Sequence, residues 1–224
     1  MIKRLLSIFF KLGLLSIAIF GLVLTYQNYH SVAEISSYFT TIVNWVSVIV
    51  IIYAMIFEIL NLPIKGILYF WYQCVIVMFM VTMFVYAILL VPYLIQQNIG
   101  YEVFSFRDTI IHFIVPILLV TDYFFFTRKG YARSWMISIN VLIPFLYLGY
   151  LQVYDAMGGR FIVGETTNRF PYYFLNVEAI GWGLFSVYLV GMLGFVILVS
   201  WIFYTIDRIV STPLKPLYKI SKSK

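Results

Sequence analysis

The stretch Ser105-Phe106-Arg107-Asp108-Thr109-Ile110-Ile111-His112-Phe113-Ile114-Val115-Pro116 holds the residue types best suited to acid–base chemistry. His112 follows Arg107 by five residues, which at 1.5 Å per residue sets it about 7–8 Å inside the edge of an apolar helix. An ionisable side chain at that depth is costly to keep and marks a functional position by default. Asp108 precedes it by four residues on the same helix face, where a carboxylate can orient an imidazole and stabilise its protonated form. The same spacing also fits a plainer arrangement. Ser105-x-x-Asp108 reads as a capping box, and His112 can simply donate one bond to a neighbouring helix. A second stretch, Tyr38-Phe39-Thr40-Thr41-Ile42-Val43-Asn44-Trp45, puts Thr40 and Asn44 on one face near the same level. A threonine hydroxyl becomes a nucleophile only when a base takes its proton, and His112 is the one histidine at that depth. Asn44 can offer an amide donor to a developing oxyanion. Against this, threonines in membrane helices bond their own i−4 carbonyl, and asparagines bridge helices.

Other chemistries find little support. The sequence has no Gly-x-Ser-x-Gly elbow, no His-Glu-x-x-His and no phosphate-binding glycine loop. Of its two histidines, His30 is expected in a solvated outer loop. The single cysteine, Cys74, can form neither an internal bridge nor a multi-cysteine metal site. No cofactor and no metal are expected. Glu58, Asp122 and Asp207 fall near Lys65, Arg128, Lys129 and Arg208, so interfacial ion pairing is their simpler reading, with Asp122 the best exception because it shares the helix of His112.

The elements that must position these groups are membrane helices. Of the 224 residues, 63% are hydrophobic and 11% charged, with a mean hydropathy of +0.97. Soluble domains run at about 45–50% apolar and about 25% charged. A helix needs about 20 apolar residues to cross the hydrocarbon. Six runs qualify: Leu5–Tyr26, Phe39–Leu60, Leu68–Ile95, Phe106–Phe126, Trp135–Tyr154 and Ala179–Thr205. The runs are too long and too uniformly apolar for barrel strands. The fold class is therefore all-α, a six-helix bundle over residues 1–210 with a basic tail at 211–224. The third run is over-long, so it tilts or starts in the interface at Tyr69-Phe70-Trp71-Tyr72. Pro92, Pro116 and Pro144 are expected to kink their helices, and Gly183, Gly191 and Gly194 to form a close-packing face on the last one.

Direction follows from lysine and arginine. With the N-terminus cytoplasmic, the inner segments hold Lys3, Arg4, Lys11, Lys65, Arg128, Lys129, Arg133, Arg208, Lys215, Lys219, Lys222 and Lys224 of the 15 basic residues. Only Arg107, Arg160 and Arg169 fall outside, so both termini read as cytoplasmic. The net charge of +6 is then mostly topology, with attraction of the tail to anionic lipid, and no nucleic-acid partner is expected. Lys3-Arg4, the apolar run and Ser31-Val32-Ala33 together resemble a secretory signal, yet Lys11 interrupts the run, which favours a retained first helix. The long outer segment Asp155–Glu178 is rich in aromatics and is expected to pack onto the membrane face as a cover.

Three patches, in this order, resemble the six-helix membrane family that includes the androgen-induced-gene and androgen-dependent TFPI-regulating proteins, with its bacterial branch. Tyr38-Phe39-Thr40 with Asn44 is similar to the family's aromatic-Thr-x-x-Asn helix opening. His112, Pro116 and Asp122 are similar to its histidine helix, and Phe170-Pro171-Tyr172-Tyr173-Phe174-Leu175 with Gly181 to its Tyr-Pro-Phe-Leu patch. The likeness runs from about Ser36 to Thr205. Animal members hydrolyse fatty-acid esters of hydroxy fatty acids with one threonine and one histidine, which the resemblance carries onto Thr40 and His112. Three departures stand out: Asp108 replaces the usual asparagine, Pro116 sits one residue closer to the histidine, and Thr41 offers a second hydroxyl.

The expected function is hydrolysis of a lipid-like carboxylic ester, with Thr40 as nucleophile, His112 as base, Asp108 as its orienting partner and Asn44 at the oxyanion. Asp122, Tyr172 and Asn176 are the expected substrate contacts, and a membrane lipid or lipid-like ester is the expected partner. A non-catalytic lipid- or small-molecule-binding protein or scaffold needs only the same polar cluster. A transporter fits less well, because no pair of broken helices recurs at corresponding places. The expected location is a bacterial cytoplasmic membrane.

Overall fold

A computed structural model describes residues 2–27, 31–98, 101–163 and 166–211. His30, Gly164, Glu165 and the tail from Thr212 lie outside the described residues. Six helices are long and apolar enough to cross a membrane: α1 (Ile2–Gln27), α2 (Phe39–Ile59), α3 (Gly66–Gln97), α4 (Phe106–Phe126), α5 (Trp135–Ala156) and α6 (Val177–Val210). A one-turn helix, Val32–Ser36, precedes α2.

Helix α3 runs through the middle and touches α2, α4, α5 and α6, while α1 packs on α2 and α4, and α5 on α6. Its sequence is apolar all round, as a helix surrounded by neighbours must be. The aromatic start of α3 divides between the bundle and its surface. Trp71 alone is exposed, whereas Tyr69 and Tyr72 are fully buried and donate their hydroxyls to Asp207 and Asp122.

Two helices widen. Val85–Leu90 in α3 and Ile110–Ile114 in α4 are π-helical turns, each followed by a proline, Pro92 and Pro116. Proline brings no N–H, and its ring collides with the carbonyl four residues back. For Pro116 that carbonyl belongs to His112, and the wider turn removes the collision. The prolines therefore shape the turns on either side of the histidine. Helix α6 breaks once, at Gly181, whose φ of 76° and ψ of 158° suit only glycine.

Close approach of α1 holds the α4 turn in place. A Cβ built on Gly21 would stand 2.8 Å from Cγ2 of Ile110 and 3.0 Å from Cγ2 of Ile111. Gly21→Val is therefore expected to lower stability by about 1–3 kcal/mol through overpacking. Gly13→Val on the same helix, where a Cβ meets nothing within 4 Å, serves as the control and leaves thermal unfolding in detergent unchanged. Gly183, Gly191 and Gly194 correct the expectation of a packed glycine face. A Cβ on any of them also meets nothing within 4 Å, so that side of α6 has no neighbour among the described residues.

The carboxylates near the basic turns also pair differently from the expectation. Asp122 and Glu58 bind Lys11 of α1, at 2.9 and 3.1 Å, rather than the interfacial lysines and arginines. Asp207 accepts the Tyr69 hydroxyl and the backbone N–H groups of Gly130 and Ala132, at 2.8 and 2.9 Å, tying the α4–α5 turn to α6.

The segment between α5 and α6 is built rather than loose. Strands β1 (Phe161–Val163) and β2 (Thr166–Asn168) pair antiparallel, with Phe161 opposite Asn168 and Val163 opposite Thr166. Phe161 is fully buried, edge-on to Tyr38, and the Ile162 N–H donates to Glu34 at 2.7 Å. Arg169 bridges Asp155 and Glu178 at 2.6 and 2.5 Å, and these carboxylates hold its guanidinium further toward the charged form. The hairpin is thus pinned to the short helix before α2.

Candidate functional site

The ends of the helices carrying Thr40 and His112 surround a cavity of about 640 Å³. Its walls are polar and mixed, with Thr25, Glu34, Thr41, Tyr101, Arg107 and Asp108 among them, and Ile162, Val163 and Pro171 from the connecting segment on one side. A second cavity, of about 40 Å³, is lined almost wholly by hydrophobic and aromatic side chains of α2, α3, α5 and α6. Four residues belong to both: Thr40, Leu90, His112 and Tyr172. They form the wall common to the polar cavity and the apolar one.

Thr40 opens the first turn of α2 and is 8% exposed. Its hydroxyl and backbone interact with the phenol of Tyr172, which also meets Phe39 and Tyr147. Burial pushes the Tyr172 hydroxyl up to about 12, with these hydrogen bonds pulling against it, so at neutral pH it keeps its proton and can donate a hydrogen bond. Tyr147 accepts the Phe39 N–H at 3.1 Å and donates to the Ser37 carbonyl at 3.0 Å, which fixes the entry into α2.

His112 sits on the π turn, its ring stacked on Tyr86 at 4.0 Å with an interplanar angle of 11°. Its Nδ1 is buried without a hydrogen-bond partner among the described residues. Asp108 does not supply one. Its carboxylate accepts the Tyr86 hydroxyl at 3.0 Å, the Tyr101 hydroxyl at 2.9 Å and Arg107 at 2.9 Å, while Ser105 caps its backbone N–H at 3.2 Å. The expected direct Asp108–His112 bond is therefore replaced by an indirect link. Asp108 holds the hydroxyl end of Tyr86, and the ring of Tyr86 holds the imidazole. The cap of the expected capping box is present at the same residue.

Three other expected site residues serve the scaffold. Asn44 donates its amide N–H to the Thr40 carbonyl at 2.8 Å, one turn back on its own helix, and lines neither cavity, so it is not placed at an oxyanion. Asn176 accepts the Ala179 N–H at 3.3 Å as the N-cap of α6. Asp122, fully buried, is bound by Lys11 and Tyr72 and lies ten residues along α4 from His112, or about 15 Å. It contacts neither cavity at the Thr40 end. Tyr172 lines both cavities, and Thr41 lines only the polar one.

Tyr86 and Tyr101 were not singled out from the sequence. Each acts through a partner from another segment, and a tyrosine among the 19 of this chain carries no spacing signal of its own. Among the described residues no group of histidine, cysteine and carboxylate side chains could hold a metal ion. Comparison of the chain with family models, curated proteins and solved structures finds no match.

Proposed function

We propose that the protein is a multi-pass membrane hydrolase of lipid-like carboxylic esters. The observation that carries the reading is the meeting of a polar and an apolar cavity at Thr40, His112 and Tyr172. An ester of a long acyl chain has that division: the first methylenes of the tail for the apolar cavity, with the rest running between the helices, and a carbonyl and alcohol for the polar one. The resemblance of the Thr40, His112 and Phe170–Leu175 patches to the six-helix threonine-hydrolase family supports it further. The chain then lies in a bacterial cytoplasmic membrane with both termini inside, which the placement of its basic residues supports, and the Thr40 end faces outward.

In this reading the Thr40 hydroxyl oxygen attacks the ester carbonyl carbon while His112 takes the hydroxyl proton. The resulting oxyanion accepts a hydrogen bond from the Tyr172 phenol beside Thr40. Collapse returns the carbonyl and breaks the bond to the alcohol oxygen, which leaves with the proton from His112. Water from the polar chamber gives a proton to the same imidazole and attacks the acyl-threonine; the bond from the acyl carbon to the Thr40 oxygen breaks, His112 returns the proton to that oxygen, and the carboxylic acid leaves. Tyr86 keeps the imidazole in place by stacking, and the hairpin limits water entry.

The test is a chain-length series of acyl esters presented to the purified protein, with free acid as the readout. Long acyl esters are hydrolysed faster than acetyl esters. Met192 lines the apolar cavity on α6, so Met192→Trp is expected to shift the preference to shorter chains by filling it. Hydrolysis of no ester in the series by folded protein overturns the proposal.

A further inference from the structure

At the opposite end of the bundle the start of α1 and the ends of α2 and α4 enclose a third cavity, of about 490 Å³. Four cations line it, Lys3, Arg4, Lys11 and Arg128, against one carboxylate, Glu58. The carboxylate is already matched. Glu58 accepts the Ser7 hydroxyl at 2.7 Å and pairs with Lys11 at 3.1 Å, and Lys11 is held in turn by Asp122. Lys3 and Arg128 form no ion pair among the described residues. Arg4 places one N–H on the Ile59 carbonyl at 2.5 Å, closing the end of α2, and its guanidinium has further donors. Lys3, Arg4 and Arg128 thus ring a cavity whose floor is a hydrogen-bonded network of one lysine and two carboxylates, and the cations remain in excess.

We infer that this cavity binds a phosphate-bearing anion, the headgroup of an anionic phospholipid. Guanidinium groups match phosphate oxygens in pairs, and a basic cavity between helices is a headgroup site when it opens at the end of a membrane bundle. The walls supply room for more than a phosphate group, with Leu62, Pro63 and Phe126 beside the cations for glycerol and the first methylenes. The inference does not depend on the ester-hydrolase reading, because it uses the other end of the molecule.

The experiment takes the full chain, freed of lipid in detergent, and titrates it with short-chain phosphatidylglycerol, inorganic phosphate and diacylglycerol. Intrinsic tryptophan fluorescence reads saturation, and native mass spectrometry counts bound lipid. Arg4→Gln/Arg128→Gln is compared with Lys65→Gln/Arg133→Gln, which removes two exposed cations that do not line the cavity. Lys3→Gln/Arg128→Gln replaces the first pair if loss of the Ile59 bond lowers its melting temperature.

Phosphatidylglycerol is expected to bind saturably, about tenfold or more weakly in the cavity pair and within about twofold of wild type in the control. Inorganic phosphate that fails to displace it confirms the lipid as the source of the phosphate. Phosphate that binds the same cavity and displaces it keeps the anion site but makes free phosphate the occupant. Equal weakening in both pairs, diacylglycerol bound as tightly as phosphatidylglycerol, or no saturable binding overturns the inference.

Discussion

Thr40→Ala is expected to lower turnover of a long-chain ester by about 10³-fold or more, and His112→Ala by about 10²–10⁴-fold, with unfolding temperatures within a degree or two of wild type. The two act as one unit, so the double variant is expected to be no slower than the slower single. Thr40→Ser keeps the hydroxyl and retains measurable turnover, and Thr41→Ala is near wild type, because Thr41 does not line the apolar cavity. Tyr86 makes the case for His112 sharper. Its ring covers one face of the imidazole, and its hydroxyl is held by Asp108, so the histidine is fixed without a bond at Nδ1. A histidine that merely packed would leave turnover unchanged when removed. Free-acid release from a medium-chain ester, measured beside thermal unfolding of each variant, separates the two.

The second large effect concerns Asp122. Lys11 is 2% exposed and Asp122 fully buried, so removing one charge strands the other in a low-dielectric core. Asp122→Ala is expected to cost about 3–5 kcal/mol of stability in detergent unfolding. Replacing both, Lys11→Met with Asp122→Leu, is expected to restore most of that, since an apolar pair of similar volume avoids the desolvation penalty. Glu58, at 3.1 Å from Lys11, keeps the single variant from losing everything. The same variants test the role of Asp122. Ester turnover by the folded fraction should hold, because the residue lies about 15 Å along α4 from His112. Turnover lost with stability intact would return Asp122 to the substrate.

The six helices were legible because each is a long apolar run, and hydropathy reads such runs directly. Their ends were less so. α3 begins at Gly66 and continues to Gln97, beyond its apolar run on both sides, and α6 starts with an N-cap at Asn176 before its break at Gly181. The two chemistry-bearing helices and their shared end were also legible, from the position of a histidine and a threonine near helix starts. What failed was partner choice. Four-residue spacing put Asp108 near His112 and Asn44 near Thr40, but a side chain bonds whatever the third dimension brings. For Asp108 that is Tyr86 and Tyr101, from α3 and the segment before α4. For Asn44 it is its own helix backbone, the alternative open to any short amide. Lys11 carried a signal that was read as an inner basic residue and as an interruption of the run, without a partner. A lysine inside an apolar run must pair with something, and its partners came from α2 and α4. Gly183, Gly191 and Gly194 show the reverse error, a pattern that implied contact where the structure has none.

The central claim is that Thr40 is an activated nucleophile. Its most direct test is covalent labelling of the purified, folded protein with a fluorophosphonate probe, with mass spectrometry to locate the adduct. The account predicts modification at Thr40, retained in Thr41→Ala and lost in both Thr40→Ala and His112→Ala. Folded protein that takes no label, or a Thr40 adduct that forms equally well without His112, would contradict it.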